Sequence, residues 1–151
     1  MKKSIFLVFT LLVSGILLAQ ETNTFTFNHL ALSVKDVDQS SNFYKNVLNL
    51  VEITNRTKLE DTCWLSIGEG KELHLISILK QPVIINKAVH LALTTANFDG
   101  FIKRLDELKI TYSDWPGKIN TVNKRADGIK QIYFQDPDGY WIEVNSVGEK
   151  K

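Results

Sequence analysis

The chain has 151 residues, of which 44% are hydrophobic and 23% are charged, and its formal net charge is +1. These values are ordinary for a single globular domain. Lysine and arginine are spread along the chain, so the sequence offers no basic footprint for nucleic acid. The single cysteine, Cys63, excludes an internal disulfide, and the sequence has no CxxC pair of the kind that binds zinc.

The first 20 residues have the layout of a secretory signal peptide. A basic start at residues 1–3 precedes an uncharged apolar run at residues 4–18, and polar residues follow. The alternative is a membrane anchor, but the run is shorter than the ~20 apolar residues that a membrane-spanning helix usually needs. We therefore expect a signal peptide at residues 1–20, export to the periplasm or the medium, and a mature domain at 21–151 with no membrane span.

An internal repeat organises the rest of the chain. Residues 29–38 read HLALSVKDVD, and residues 90–99 read HLALTTANFD. Each copy leads into an amphipathic segment with apolar residues at helical spacing, at residues 41–50 and 98–108. The repeat therefore predicts a strand followed by a helix in each half of the chain.

The helices should begin at short polar side chains that accept backbone N–H groups, and Asp38 and Asn97 are suited to that role. Strand-like runs follow both helices, at 51–56, 62–67 and 72–78 in the first half and at 111–113, 130–134 and 140–145 in the second. The DPDG sequence at 136–139 is typical of a tight turn. We predict two βαβββ modules of α+β class, at about residues 25–80 and 86–147, that pack on each other.

The longest stretch without periodicity is the segment at residues 114–129. A segment of this length with no regular structure of its own is often a functional lid. We therefore expect it to lie over a binding site.

All three histidines fall on equivalent strand positions of the repeat. Side chains alternate along a strand, so His29 and His90 lie opposite the leucine face of their strands. The last strand of each half places His74 and Glu143 at near-equivalent positions. A lone strand histidine is more often a hydrogen-bonded structural group, and a lone glutamate can pair with a lysine. Four such residues in symmetric positions favour a metal site instead.

The donor set limits the choice of metal ion. Imidazole and carboxylate ligands suit Zn, Ni, Co, Mn or Fe(II), and no thiolate narrows the choice. We expect one divalent metal ion of unresolved identity. Cys63, on a middle strand, is better explained as a small buried residue than as a ligand.

Two segments resemble the end signatures of the vicinal oxygen chelate (glyoxalase/bleomycin resistance/dioxygenase) superfamily: NHLALSVKDVDQSSNFYKNVLNL from residue 28 and YFQDPDGYWIEV from residue 133. The resemblance extends from about Phe27 to Val147. It implies a glyoxalase-like single domain in which the modules form an open cup-shaped mixed sheet with the helices outside. It also implies metal ligands from the first and last strands of each module.

The resemblance implies roles for single residues. His29, His90 and Glu143 match the triad of fosfomycin-resistance transferases and ring-cleaving dioxygenases. His74 stands where glyoxalase I usually has a glutamate, which keeps a possible ligand but removes a carboxylate that glyoxalase I uses as a base. Glu143 is then a ligand, and it is also the candidate catalytic base if it dissociates from the metal. By analogy we expect a homodimer in which His29 and His74 of one chain meet His90 and Glu143 of the other.

We expect an exported, metal-dependent enzyme that chelates two adjacent oxygens of a small oxygen-rich substrate, with lyase, isomerase or transferase chemistry left open. Export argues against substrates linked to glutathione, bacillithiol or CoA. The alternatives are an Fe(II) ring-cleaving dioxygenase and a non-catalytic, resistance-type binding module. Candidate substrate-binding residues are Asn145 and Tyr133, which would line the cup, and Lys124 and Arg125 in the long loop. Hydrogen bonding, core packing or a solvated loop would also explain these four residues.

Overall fold

The computed structural model describes residues 25–78 and 84–149. The candidate signal peptide at residues 1–20 lies outside these ranges. Within them, no helix is both long enough and apolar enough to cross a membrane.

Each half of the chain forms a strand, a helix and three further strands, which confirms the predicted two-module α+β fold. The first module consists of β1 (His29–Ser33), α1 (Val37–Leu48), β2 (Val51–Ile53), β3 (Thr62–Gly68) and β4 (Lys71–Ile76). The second consists of β5 (His90–Thr94), α2 (Phe98–Glu107), β6 (Asn123–Lys124), β7 (Lys130–Gln135) and β8 (Trp141–Asn145).

Each module has a mixed four-stranded sheet in which the first and last strands are parallel neighbours. The strand orders are β1-β4-β3-β2 and β5-β8-β7-β6. In register, Ala31 lies beside His74, and Ala92 lies beside Glu143. Neighbours in register point to the same side of a sheet. Each candidate ligand on a last strand therefore has a small side chain next to it.

The positions at which the two helices begin correct one prediction and confirm another. Helix α1 begins after Asp36, whose side chain accepts a hydrogen bond from the backbone N–H of Gln39 at 2.9 Å. Asp38, predicted as the cap, lies in the first turn, where its negative charge faces the positive end of the helix dipole. Asn97 caps α2 as predicted, and it accepts from the N–H of Gly100.

The prediction of a strand at residues 111–113 is wrong. Ser113 makes isolated bridges to Ile119 and Tyr133. The edge strand of the second sheet is instead β6, which pairs with β7 at Asn123 and Lys124. A strand of two residues is too short to show the alternation that identifies strands in a sequence.

One hydrophobic core joins the two modules. Its most buried members include Tyr44 and Leu73 from the first module and Phe98, Phe134 and Ile142 from the second. The predicted apolar faces of both helices lie in or against this core, except for Leu108, which follows α2 and is 43% exposed. Since side chains alternate along a strand, the faces that carry the histidines are turned away from it.

The turn at residues 136–139 fastens the second module to α1. The Oδ1 atom of Asp136 accepts from the N–H groups of Asp138 and Tyr140 at 3.0 and 2.8 Å, as expected for the predicted turn. The other carboxylate oxygen of Asp136 accepts from the Tyr44 hydroxyl at 2.8 Å. Ser40 donates to Asp138 at 2.6 Å. These polar contacts fix how the two modules pack.

Candidate metal centre

His90 and Glu143 form a pair on the second module. The Nδ1 atom of His90 lies 2.9 Å from the main-chain oxygen of Lys87. Because a carbonyl can only accept, Nδ1 carries the proton and Nε2 is left as the metal-binding nitrogen. That Nε2 lies 3.5 Å from Oε2 of Glu143. An imidazole nitrogen and a carboxylate oxygen thus face each other across a short gap.

A buried hydrogen-bond network orients Glu143. The Tyr133 hydroxyl donates to Oε2 at 2.7 Å, and the Asn145 amide donates to Oε1 at 2.8 Å. Gln131 donates to the Tyr133 hydroxyl at 2.8 Å. Burial, and then the bond to Glu143, raises the pKa of the Tyr133 phenol, so the phenol remains a donor near neutral pH. Tyr133 and Asn145 therefore lie beside Glu143, and their role toward a substrate stays a prediction.

The first module carries a stack of flat side chains. The His74 ring lies between Trp64 and His29, with ring centroids 3.9 and 4.3 Å away. The Arg56 guanidinium lies over the Trp64 ring, 4.5 Å from its centroid. Nη2 of Arg56 donates to both oxygens of Glu72 at 2.8 Å. The His74 ring is thus fixed in its plane by neighbours on both faces.

Glu72 also determines how His74 can bind. The Nε2 atom of His74 lies 2.8 Å from Oε2 of Glu72. Hydrogen bonds from His74 and Arg56 hold the pKa of Glu72 below its usual value, so this carboxylate is charged near neutral pH. His74 would therefore bind a metal through Nδ1, unless Glu72 moved away. In His29, the Nδ1 atom lies 2.7 Å from the side-chain oxygen of Asn28, which leaves Nε2 for a metal.

The four predicted ligands thus lie in two pairs, His29 with His74 and His90 with Glu143. Among the described residues, no group of three or more His, Cys, Asp or Glu side chains is arranged to hold a metal ion. The donor types themselves fit a divalent transition metal. A single chain therefore supplies two half-sets of ligands, and the complete four-residue site stays a prediction.

The long loop places an aromatic side chain, Trp115, beside the pair formed by His90 and Glu143. Trp115 lies 6.3 Å from the His90 ring and 5.3 Å from the Tyr133 ring, measured between centroids, and it is 46% exposed. The structure places Lys124 on β6, and Arg125 pairs with Asp127 at 2.6 Å. A substrate-binding role for Lys124 and Arg125 stays a prediction.

Glu72, Trp64 and Lys87 are among the residues near the candidate ligands that the sequence did not single out. Glu72 carried a signal, since it precedes His74 by two positions on a strand and so shares its face. Trp64 is placed beside His74 by the β3–β4 register, and Lys87 lies in an irregular segment. Neither of these two positions is marked by a periodic pattern.

Comparisons with known proteins agree with this fold. The sequence matches the Glyoxalase/Bleomycin resistance protein/Dioxygenase superfamily over residues 26–144. It is 29% identical to Glyoxylase I 4 of Arabidopsis thaliana, covering 79% of this chain and 69% of that protein. It is 30% identical to the metallothiol transferase FosB of Shouchella clausii, covering 79% and 78%.

A solved structure shares the architecture. The crystal structure of a glyoxalase/dioxygenase from Nostoc punctiforme superimposes with a TM-score of 0.63 at 25% identity, covering 95% of this chain and 99% of that one. The family match spans most of the chain, and both modules contribute to it. The chain is a member of the glyoxalase/bleomycin resistance protein/dioxygenase superfamily.

Proposed function

We propose that the protein is an exported, metal-dependent enzyme that binds a small oxygen-rich substrate through two adjacent oxygens. The observation that carries this proposal is the geometry of His90 and Glu143. His90 is held by the Lys87 carbonyl so that Nε2 faces the carboxylate of Glu143 at 3.5 Å. The signal-peptide layout of residues 1–20 supports export.

We further propose that a homodimer completes the metal site. His29 and His74 of one chain would join His90 and Glu143 of the partner subunit. Two features support this arrangement: the described part of one chain forms no group of three ligands, and both ligand-bearing faces are turned away from the shared core. Each dimer would then hold two sites, with each chain contributing half of the ligands to both.

We assign the proton transfer to Glu143 and its orientation to the residues beside it. A divalent ion held by these ligands would supply Lewis-acid polarisation of the chelated substrate oxygens. If it dissociates from the ion, Glu143 can accept a proton from the substrate and return it, as a general base does. Tyr133 and Asn145 hold its two oxygens in place, each through one hydrogen bond. The lyase, isomerase or transferase outcome would follow from the substrate.

Fe(II)-dependent oxygen chemistry is the second candidate function, and one contact favours it. The Nε2 atom of His74 is occupied by Glu72. If that bond persists when metal binds and Nδ1 stays off the metal, His29, His90 and Glu143 remain as two histidines and one carboxylate. That set is the facial triad of non-haem iron oxygenases. Activity that requires Fe(II) and is lost without oxygen would support this candidate, and activity with Ni²⁺ or Zn²⁺ would contradict it.

A bidentate oxygen probe tests the proposed function. Mature protein loaded with Co²⁺ is expected to change its visible absorption when acetohydroxamate is added, because a catalytic site keeps open coordination positions. The metal-free protein mixed with acetohydroxamate is the control. A Co²⁺ spectrum that does not respond would indicate a closed structural site and would contradict the proposal.

A further inference from the structure

Lys87 contacts both the candidate ligand His90 and the start of the long loop. Its main-chain oxygen accepts from Nδ1 of His90 at 2.9 Å. Its ammonium donates to Oγ of Ser113 at 2.9 Å and to the main-chain oxygens of Asp114 and Trp115 at 2.6 and 3.2 Å. An ammonium has three N–H donors, and these three acceptors use all of them. Lys87 is therefore a link between two parts of the site and has no donor left for a substrate anion.

Aromatic rings surround the same ammonium. Its nitrogen lies 4.7 Å from the Trp141 ring centroid, 5.0 Å from that of Tyr133 and 6.0 Å from that of Trp115. Such contacts stabilise a cation that has lost water. Burial lowers the pKa of the Lys87 ammonium, and the nearby charge of Asp114 opposes that change. The partly buried ammonium holds three acceptors of the loop start, so removing it should release the loop start.

Lys87 lies in a tight turn that leads directly into the strand of His90. The N–H of Val89 donates to the main-chain oxygen of Asn86 at 3.0 Å, and the N–H of Ala88 donates to the Asn86 side chain at 3.0 Å. Lys87 lies inside this turn, three residues before His90. A displacement of the Lys87 backbone would therefore move the hydrogen-bond acceptor that fixes the His90 ring.

We propose that Lys87 is a positioning residue. It couples the orientation of the His90 ring to the position of residues 113–115, the start of the long loop. This inference rests on the proposed function, because it treats His90 as a ligand and the loop as one wall of the site. The loop start seats Trp115 beside His90 and Tyr133. A cavity of about 350 Å³ lies between the loop and the sheet, lined in part by Lys87, Tyr133 and Trp141. Lys87 would thus set the shape of a cavity that adjoins Tyr133, the residue that donates to Glu143.

Replacing Lys87 by methionine tests this link, because methionine keeps an unbranched apolar side chain and removes the ammonium. In the Lys87→Met variant we expect faster hydrogen exchange at the amides of residues 113–120. We also expect ¹⁵N spectra of the imidazoles to show that His90 is no longer held in its Nδ1-protonated form. Affinity for Co²⁺ should fall about tenfold, the lower end of what loss of an outer partner costs. Lys118→Met, at an exposed position of the same loop, is the matched control and should change none of these readouts.

Chemical rescue separates the ammonium from a general packing defect. Lys87→Cys in a Cys63→Ala background, alkylated with 2-bromoethylamine, rebuilds an ammonium at nearly the original length. Loop exchange and the His90 spectrum should both return to the values of the Cys63→Ala parent. Unchanged loop exchange in Lys87→Met would overturn the link, and a loosened loop with an unaltered His90 spectrum would overturn the coupling. A wild-type protein that binds no Co²⁺ would refute the proposed function, whereas exchange and imidazole spectra would still decide the role of Lys87.

Discussion

Replacing Glu143 by glutamine is expected to lower the affinity for a divalent metal ion about 100-fold or more, since losing an outer partner alone costs about 10–100-fold. Glutamine keeps the size of the side chain but removes its negative charge. It also replaces one oxygen by an NH₂ group. Both oxygens of Glu143 accept hydrogen bonds, from Tyr133 and Asn145, and the NH₂ group of glutamine would replace one of these two acceptors. The variant therefore loses the ligand charge and one of the two acceptors that orient the side chain.

Competition with a chelator for Co²⁺ measures this loss. Glu107→Gln removes the same charge from an exposed position at the end of α2, and its affinity should equal that of the wild type. Circular dichroism of Glu143→Gln should be that of the wild type, which separates ligand loss from unfolding. Full metal occupancy of Glu143→Gln at wild-type affinity would contradict the role of Glu143 as a ligand.

Replacing Phe134 by alanine is expected to destabilise the protein by about 3–5 kcal/mol, the usual cost of truncating a buried phenylalanine. Phe134 is 1% exposed and lies between the two modules. Its ring centroid is 6.4 Å from that of Phe43 on α1 and 6.0 Å from that of Phe101 on α2. The free energy of unfolding of a whole domain is about 5–15 kcal/mol, so this single change should remove a large part of it.

Urea unfolding measures the change in the free energy of unfolding, provided that the slope with denaturant is unchanged. Val147→Ala truncates a side chain that is 57% exposed, and it should shift stability by no more than about 0.5 kcal/mol. A loss below about 1 kcal/mol in Phe134→Ala would contradict a core shared by both modules, because such small effects are typical of surface positions.

The module architecture could be predicted because its signals are local. The two HLAL strands, the apolar faces of the helices and the DPDG turn each depend on residues close in sequence. Asp36 and Asp38 are both suitable caps by residue type, and only the backbone distinguishes them, since Asp36 is extended and Asp38 is helical. Strand β6 has only two residues, which are too few to show the alternation that identifies a strand.

The arrangement of the candidate ligands depended on contacts that no local pattern encodes. Strand alternation predicted the face on which His74 lies, and the β3–β4 register placed it beside Trp64. The stacking of the His29 ring on His74 follows from side-chain conformation. The pairing of His74 with Glu72, and the contact of Lys87 with the loop, depend on side-chain conformations in the folded chain. Periodicity in a sequence specifies faces, whereas distances between side chains follow only from packing.

Subunit mixing tests the central claim, a metal site shared by two chains, most directly. His29→Ala breaks the pair of the first module, and Glu143→Ala breaks the pair of the second. Each variant alone should bind no metal at the site. When the two are unfolded and refolded together, a mixed dimer should contain one site with both pairs intact and one site with both pairs broken. We therefore predict that Co²⁺ binding reappears at one ion per mixed dimer. No recovery in a verified mixed dimer, or full occupancy in either variant alone, would contradict the shared site.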